Sequence, residues 1–178
     1  MRTYLILILL TVSSLSACLS SEEKKELLPT TEVPALTTYY LIRHAEKDRS
    51  DPANSDPELT EAGRERAKKW RTFFSKVPLD QIYSTSYKRT QQTAMDVASD
   101  HNIPIQTYDP STLYDEDFQR TTQGKTVLIV GHSNTTPQFV NAILGTNEFT
   151  DMDDTDNASV YVVTVTGEQK KATVLTVE

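Results

Sequence analysis

Apolar positions along the chain switch between a period of two and a period near 3.6 from about residue 38 onward. Tyr39–Arg43 (YYLIR) is a short aromatic and β-favouring run and predicts a strand. The polar stretch Asp48–Glu58 contains Pro52 and Pro57 and reads as a loop. Thr60 then stands where a helix N-cap belongs, with Ala62, Arg66, Trp70, Phe73 and Phe74 following at helical spacing. Asp80–Tyr83 is a second short strand, and Ser86 can cap a helix from Tyr87 to about Asp100. Ile103–Gln106 is a third strand candidate, and Ser111 is a candidate cap for a short acidic helix through Phe118. Thr126–Val130 (TVLIV) is nearly all apolar and rich in β-branched residues, as a strand buried on both faces requires. Pro137 fits the first turn of a helix that stops at Gly145. Ser159–Thr166 and Ala172–Val177 alternate as two closing strands joined near Gly167. The order predicts one α/β domain over residues 38–178: three layers, with a mostly parallel central sheet flanked by helices.

The first 37 residues follow other rules. Arg2, the apolar run Tyr4–Val12 and the small residues after it have the pattern of a secretory signal peptide over residues 1–17. The run is shorter than the roughly 20 residues a bilayer span needs. Leu15-Ser16-Ala17-Cys18 resembles a bacterial lipobox, which is cut before a cysteine that then carries lipid. The expectation is a protein held outside the cytoplasm on a bacterial membrane through lipidated Cys18. The alternative is a plain secretory signal with an incidental thiol. Residues 19–37 contain Pro29 and Pro34 with mixed charges and read as a tether. As a coil it would reach roughly 25 Å.

Composition narrows the function. Of 178 residues, 18 are Lys or Arg and 25 are Asp or Glu, a net charge of −7 that argues against general nucleic-acid binding. One cysteine excludes an internal disulfide framework, and three histidines leave little room for a histidine-rich metal centre. Neither a metal nor a cofactor is expected.

In open α/β sheets ligands bind beyond the carboxyl ends of the strands. Arg43-His44-Ala45-Glu46-Lys47 follows the first predicted strand, and Gly131-His132-Ser133-Asn134-Thr135 follows TVLIV. Parallel neighbouring strands would open both histidines into one pocket, whereas His101 lies in a polar turn. Arg43 can grip an anion with two parallel hydrogen bonds, and Arg89 falls in the first turn of a helix whose N-terminus also attracts anions. The set suits a phosphate, whose several oxygens need several donors.

These residues also resemble a family. Arg43-His44-Ala45-Glu46 looks like the R-H-G/A-E signature of the histidine phosphatase superfamily, the phosphoglycerate mutase-like proteins. Leu59-Thr60-Glu61-Ala62-Gly63 is similar to its L-T-x-x-G element, Ser84–Ala94 to its arginine-bearing element with Arg89, and Gly131-His132-Ser133 to its G-H-S/G element. The resemblance implies a phosphoglycerate mutase-like fold and a phosphatase on which His44 takes the phosphoryl group. It implies that Arg43, Arg89 and His132 bind the phosphate, with a phosphorylated small molecule or phosphoprotein as substrate. The family's usual glutamate acid has no obvious match. Asp109, near the end of the third strand candidate, is the first candidate proton donor, followed by Asp115 and Glu46.

Other readings compete. Gly131–Thr135 partly mimics a serine hydrolase elbow with Ser133 as nucleophile, although Thr135 replaces the final glycine. A non-catalytic anion-binding or envelope interaction module on the same fold is a second rival, and a phosphomutase, which needs a pocket that retains and reorients the intermediate, is a less favoured variant. The acidic run Asp151–Asp156 could hold Ca²⁺ only loosely, since it lacks the glycine and closing glutamate of a twelve-residue loop.

Overall fold

The computed structural model describes residues 34–178; the expected leader 1–17, Cys18 and the tether as far as residue 33 lie outside the described residues. The elements are β1 (Leu36–Arg43), α1 (Glu61–Phe74), β2 (Gln81–Ser84), α2 (Lys88–His101), β3 (Ile105–Thr107), α3 (Glu116–Thr122), β4 (Thr126–Gly131), α4 (Thr135–Leu144), β5 (Ser159–Thr166) and β6 (Gln169–Thr176). They form one sheet in the order β3-β2-β4-β1-β5-β6. The four strands from β3 to β1 are parallel, and β5 and β6 add two antiparallel pairings, so the sheet is mixed. No helix among the described residues is long and apolar enough to cross a membrane.

Alternation along the central strands builds two cores. Tyr39 and Leu41 of β1 and Ile129 of β4 face Phe139, Val140 and Ile143 of α4. Ile42, Leu128 and Val130 face Trp70 and Phe74 of α1 and Val97 of α2. Both faces of β1 and β4 are therefore covered, which is why TVLIV needs no polar alternation. Each large apolar side chain buried in this way contributes roughly 1.5–3 kcal/mol.

This layering positions the site. Arg43 pairs with Gly131 across β1 and β4, so the two strands end level. The helix after β1 lies on one face and the helix after β4 on the other, and such a switch point leaves a crevice at the strand ends. Thr60 caps α1 by accepting a bond from Gly63 N at 3.1 Å, and its own N–H donates to Glu46 O at 2.9 Å. A Cβ on Gly63 would lie 2.2 Å from Glu46 O, so the glycine lets α1 press against the backbone just past His44. That contact and the cap account for the L-T-x-x-G element.

Several boundaries differ from the sequence reading. β1 starts at Leu36, two residues before the expected domain edge, because Leu36 and Thr37 pair with Thr166 and Val165 of β5. The cap position of α2 is Tyr87 rather than Ser86, and Asp56 Oδ1 accepts from Lys88 N. Ser111 caps no helix; its N–H and hydroxyl bond Asp109 Oδ1, and α3 begins later with Asp115 as cap. β6 begins at Gln169 rather than Ala172, and is exposed along nearly its whole length, so no apolar alternation marks its start.

Candidate active site

His44 is the first residue beyond β1 and is 3% exposed. Its N–H donates to Gly131 O at 2.9 Å, and Asn157 Nδ2 donates to its carbonyl at 2.7 Å. Its Nδ1 lies 2.7 Å from Ala45 O. A carbonyl only accepts, so Nδ1 carries the hydrogen and Nε2 keeps a free lone pair. Ala45 is itself fixed, its N–H donating to Thr93 Oγ1 at 2.9 Å. Burial, reinforced by Arg43, Arg89 and His132, lowers the His44 pKa to about 3. The imidazole is neutral and nucleophilic at ordinary pH.

His132 follows β4, its ring centroid 5.5 Å from that of His44. Arg89 Nη2 donates to its Nδ1 at 3.4 Å, leaving Nε2–H to donate to Thr85 Oγ1 at 3.0 Å. Burial first, then Arg89, Arg43 and Lys47, lower its pKa to about 4.

These shifts have a direction for stability. The free histidine value is 6.5, so between there and about pH 3 the unfolded chain holds a proton that folded His44 rejects. The stability linked to His44 is complete above pH 6.5 and is lost as pH falls toward 3. Between pH 6.5 and a test pH of about 4.5 the loss is roughly 2–3 kcal/mol. Denaturant unfolding at both pH values should show a steeper acid loss for the parent than for His44→Gln. Equal losses would remove His44 as the source.

Arg43 is 2% exposed. Its Nη1 donates to Asp153 O at 2.9 Å and Asp156 O at 3.2 Å, and its Nη2 meets Asp154 Oδ1 at 2.9 Å. Arg49 Nη2 meets the same Asp154 oxygen at 2.8 Å. Arg43 Nε and Arg89 Nε and Nη1 are buried donors without a hydrogen-bond partner. α4 has no side-chain cap, and Ser133, Asn134 and Thr135 at its start line the same cleft as Arg43, His44 and Arg89. The cleft volume is about 380 Å³. Arg89 Nη1 faces Asp56 Oδ1 at 3.8 Å, too far for a hydrogen bond, so the guanidinium donors without a hydrogen bond and the helix N-terminus without a side-chain cap suit the cleft to an anion.

The cleft brings together Arg43, His44, Arg89 and His132. Asp109 does not join them: it is exposed, and two bonds from Ser111 hold its carboxylate and lower its pKa, the wrong direction for an acid. Asp115 is spent on the α3 cap. Glu46 Oε1 pairs with Arg66 Nε at 3.0 Å. Among the described residues no hydrogen bond joins the Ser133 hydroxyl to either histidine, whose ring nitrogens go to Ala45, Thr85 and Arg89. The acidic run forms no metal cluster among the described residues. Asp153 and Asp156 instead cap their own loop, at Thr155 N and at Ala158 and Ser159 N.

Thr85, Lys47, Tyr87, Asp154 and Asn157 were not singled out from the sequence. Thr85 and Tyr87 stand inside the Ser84–Ala94 element and Lys47 directly follows Arg43–Glu46, which is the available signal. The motif residues Gln92 and Thr93 prove to be struts: Gln92 Oε1 accepts from Leu59 N at 2.8 Å, and Thr93 holds Ala45.

The fold is that of the phosphoglycerate mutase-like proteins. A phosphoglycerate mutase from Bacillus anthracis superposes with a TM-score of 0.62 at 14% identity, covering 80% of this chain and 93% of that one. SixA from Agrobacterium tumefaciens gives 0.58 at 22% identity, covering 78% and 97%. A phosphoserine phosphatase variant from Entamoeba histolytica in complex with phosphoserine gives 0.60 at 15%, covering 77% and 95%. The family model of the histidine phosphatase superfamily (branch 1) matches residues 39–110, a span holding three of the four motif elements. That match covers less than half of the chain, and the solved structures, all under 25% identical, show the shared fold. Phosphoserine phosphatase 1 of Hydrogenobacter thermophilus is 36% identical over 69 residues, 36% of this chain. The chain spans about a third (33%) of the length of that curated relative.

Proposed function

We propose that the protein is a phosphomonoesterase that works through phosphohistidine at His44. The observation that carries this reading is the Nδ1–H bond from His44 to Ala45 O, which leaves Nε2 as a neutral nucleophile among guanidinium groups. Nε2 attacks phosphorus, and the P–O ester bond breaks with its electron pair going to the leaving oxygen. Water then attacks the phosphoryl group, the P–N bond breaks, and inorganic phosphate leaves with the imidazole restored. Arg43, Arg89 and the α4 N-terminus supply the positive charge that stabilises the transition state, and neutral His132 lines the same cleft and holds Arg89 Nη2 in place. The substrate class is a phosphorylated small molecule or phosphoprotein. Phosphate release across a panel of phosphomonoesters, with His44→Ala as control, tests the reading. A folded parent that binds phosphate but turns over none of the panel would favour the non-catalytic anion-binding module.

The proposed setting is extracytoplasmic, on a lipid carried by Cys18. The support is Leu15–Cys18 directly after an apolar run, and stable anchoring takes two acyl chains or more. Cys18→Ser is expected to move the protein from the membrane fraction to the soluble fraction or leave it unprocessed. A processed, membrane-bound variant would overturn the anchor.

A further inference from the structure

The proposed reaction leaves one proton unassigned: Asp109 and Asp115 lie outside the cleft, and Glu46 is a wall of the adjoining cavity only, with Oε1 paired to Arg66 and Oε2 buried without a hydrogen-bond partner. The cleft's own carboxylate, Asp154, bridges Arg43 and Arg49, which hold it ionised and lower its pKa. The lining arginines keep their protons throughout the working pH range. Lys47 is different. It lines the cleft and also an adjoining cavity of about 250 Å³, and Arg43, His44 and Asp154 are walls of both. Among the described residues no carboxylate lies within 4.0 Å of its ammonium. The charged and titratable groups around it are Arg43, Arg49, Arg89, His44, Glu46, Tyr87, His132 and Asp154. Burial and the three guanidinium groups lower its pKa, against the smaller opposing pull of Asp154. An ammonium with a lowered pKa and no partner acid, on a wall it shares with the nucleophile, gives up its proton more readily than a free lysine.

We propose that Lys47 is the proton donor to the leaving group. This rests on the phosphohistidine reading. As the His44 Nε2–P bond forms and the P–O bond breaks, a proton moves from Lys47 Nζ to the ester oxygen, giving a neutral alcohol and a neutral amine. In the second half-reaction the amine takes a proton from the attacking water while the P–N bond breaks. Lys47 ends as ammonium and the imidazole as it began. The Tyr87 hydroxyl is the alternative donor at the rim. Its ring is held edge-on to His132 at 5.1 Å and beneath Arg89 at 4.3 Å.

The test measures kcat/KM for an alkyl phosphate and for 4-nitrophenyl phosphate, whose leaving group needs no proton. In both Lys47→Met and Lys47→Arg the nitrophenyl-to-alkyl ratio is expected to rise about 10²-fold or more. Tyr87→Phe and Asp109→Asn should keep the parental ratio. A parental ratio in Lys47→Arg would mean that charge alone matters, and would overturn the proposal. So would equal slowing of both esters, or a loss confined to esters bearing a second anionic group, which would mark Lys47 as a binding residue. A shifted ratio in Tyr87→Phe alone would transfer the role to Tyr87. Phosphate trapped on His44 with unchanged ratios removes Lys47 only, whereas a parent that releases phosphate from neither ester removes the phosphohistidine reading itself.

Discussion

His44→Ala is expected to lower phosphate release by about 10⁴–10⁶-fold, the scale seen when a covalent nucleophile is removed. Nothing else in the cleft can substitute for it. His132 has its Nε2–H committed to Thr85 and its Nδ1 facing Arg89. Ser133 lines the cleft without a histidine to take its proton. A rapid acid-free quench of the parent should trap phosphate that is labile in acid and stable in base, and mapping should place it on His44. Ser133→Ala should retain the trapped phosphate. Survival of activity in His44→Ala together with its loss in Ser133→Ala would replace the phosphohistidine pathway with serine chemistry.

Arg43→Lys should be almost as damaging, with kcat/KM down about 10²–10³-fold, the cost of losing one transition-state donor. An ammonium cannot reproduce the fork that Arg43 uses. One arm holds the carbonyls of Asp153 and Asp156, the other meets Asp154, and Nε is buried without a partner beside the cleft. The substitution therefore also loosens the loop between α4 and β5. Each buried carbonyl left unpaired costs about 1–3 kcal/mol, less here because these carbonyls are only partly buried. Thermal melts with and without phosphate separate the two effects: the variant should melt lower and should lose most of the phosphate-dependent stabilisation. A variant that keeps the parental shift on adding phosphate would show that Arg43 serves the loop alone.

How far the sequence could be read depended on whether a residue's neighbours in the chain are also its neighbours in space. β4 was legible because burial on both faces leaves TVLIV no polar positions. Arg43, His44, Arg89 and His132 were legible because strand ends and a first helical turn are local features, and parallel pairing of β1 and β4 then brings them together. β6 and the α3 cap were misplaced for opposite reasons. β6 is exposed nearly throughout and carries little pattern, and Ser111 and Asp115 are both plausible caps until Asp109 claims Ser111. Spacing alone could not show that Asp109 stays out of the cleft. Asp109 stands near a strand end as required, but its carboxylate turns forward to accept from Ser111, two residues on, in a local turn. Asp154 lay hidden in an acidic run more than 100 residues from Arg43, and only the return of the chain into β5 joins them.

The carboxylate of Asp154 gives the cleft a resident competitor for any incoming anion. An anion arriving from solution must displace it from Arg43, while Arg49 keeps hold of the same oxygen and so holds it within reach of return. A tethered group of this kind acts at an effective concentration on the order of millimolar. Weakly charged anions such as chloride or acetate gain little in that exchange. A phosphoryl dianion gains the unused donors of Arg89 and the α4 N-terminus besides the arm it takes over. In the proposed reaction the same carboxylate would compete with inorganic phosphate, so occupancy by product is expected to saturate only at high phosphate. The loop that holds Arg43 in place thereby also sets how readily the cleft empties.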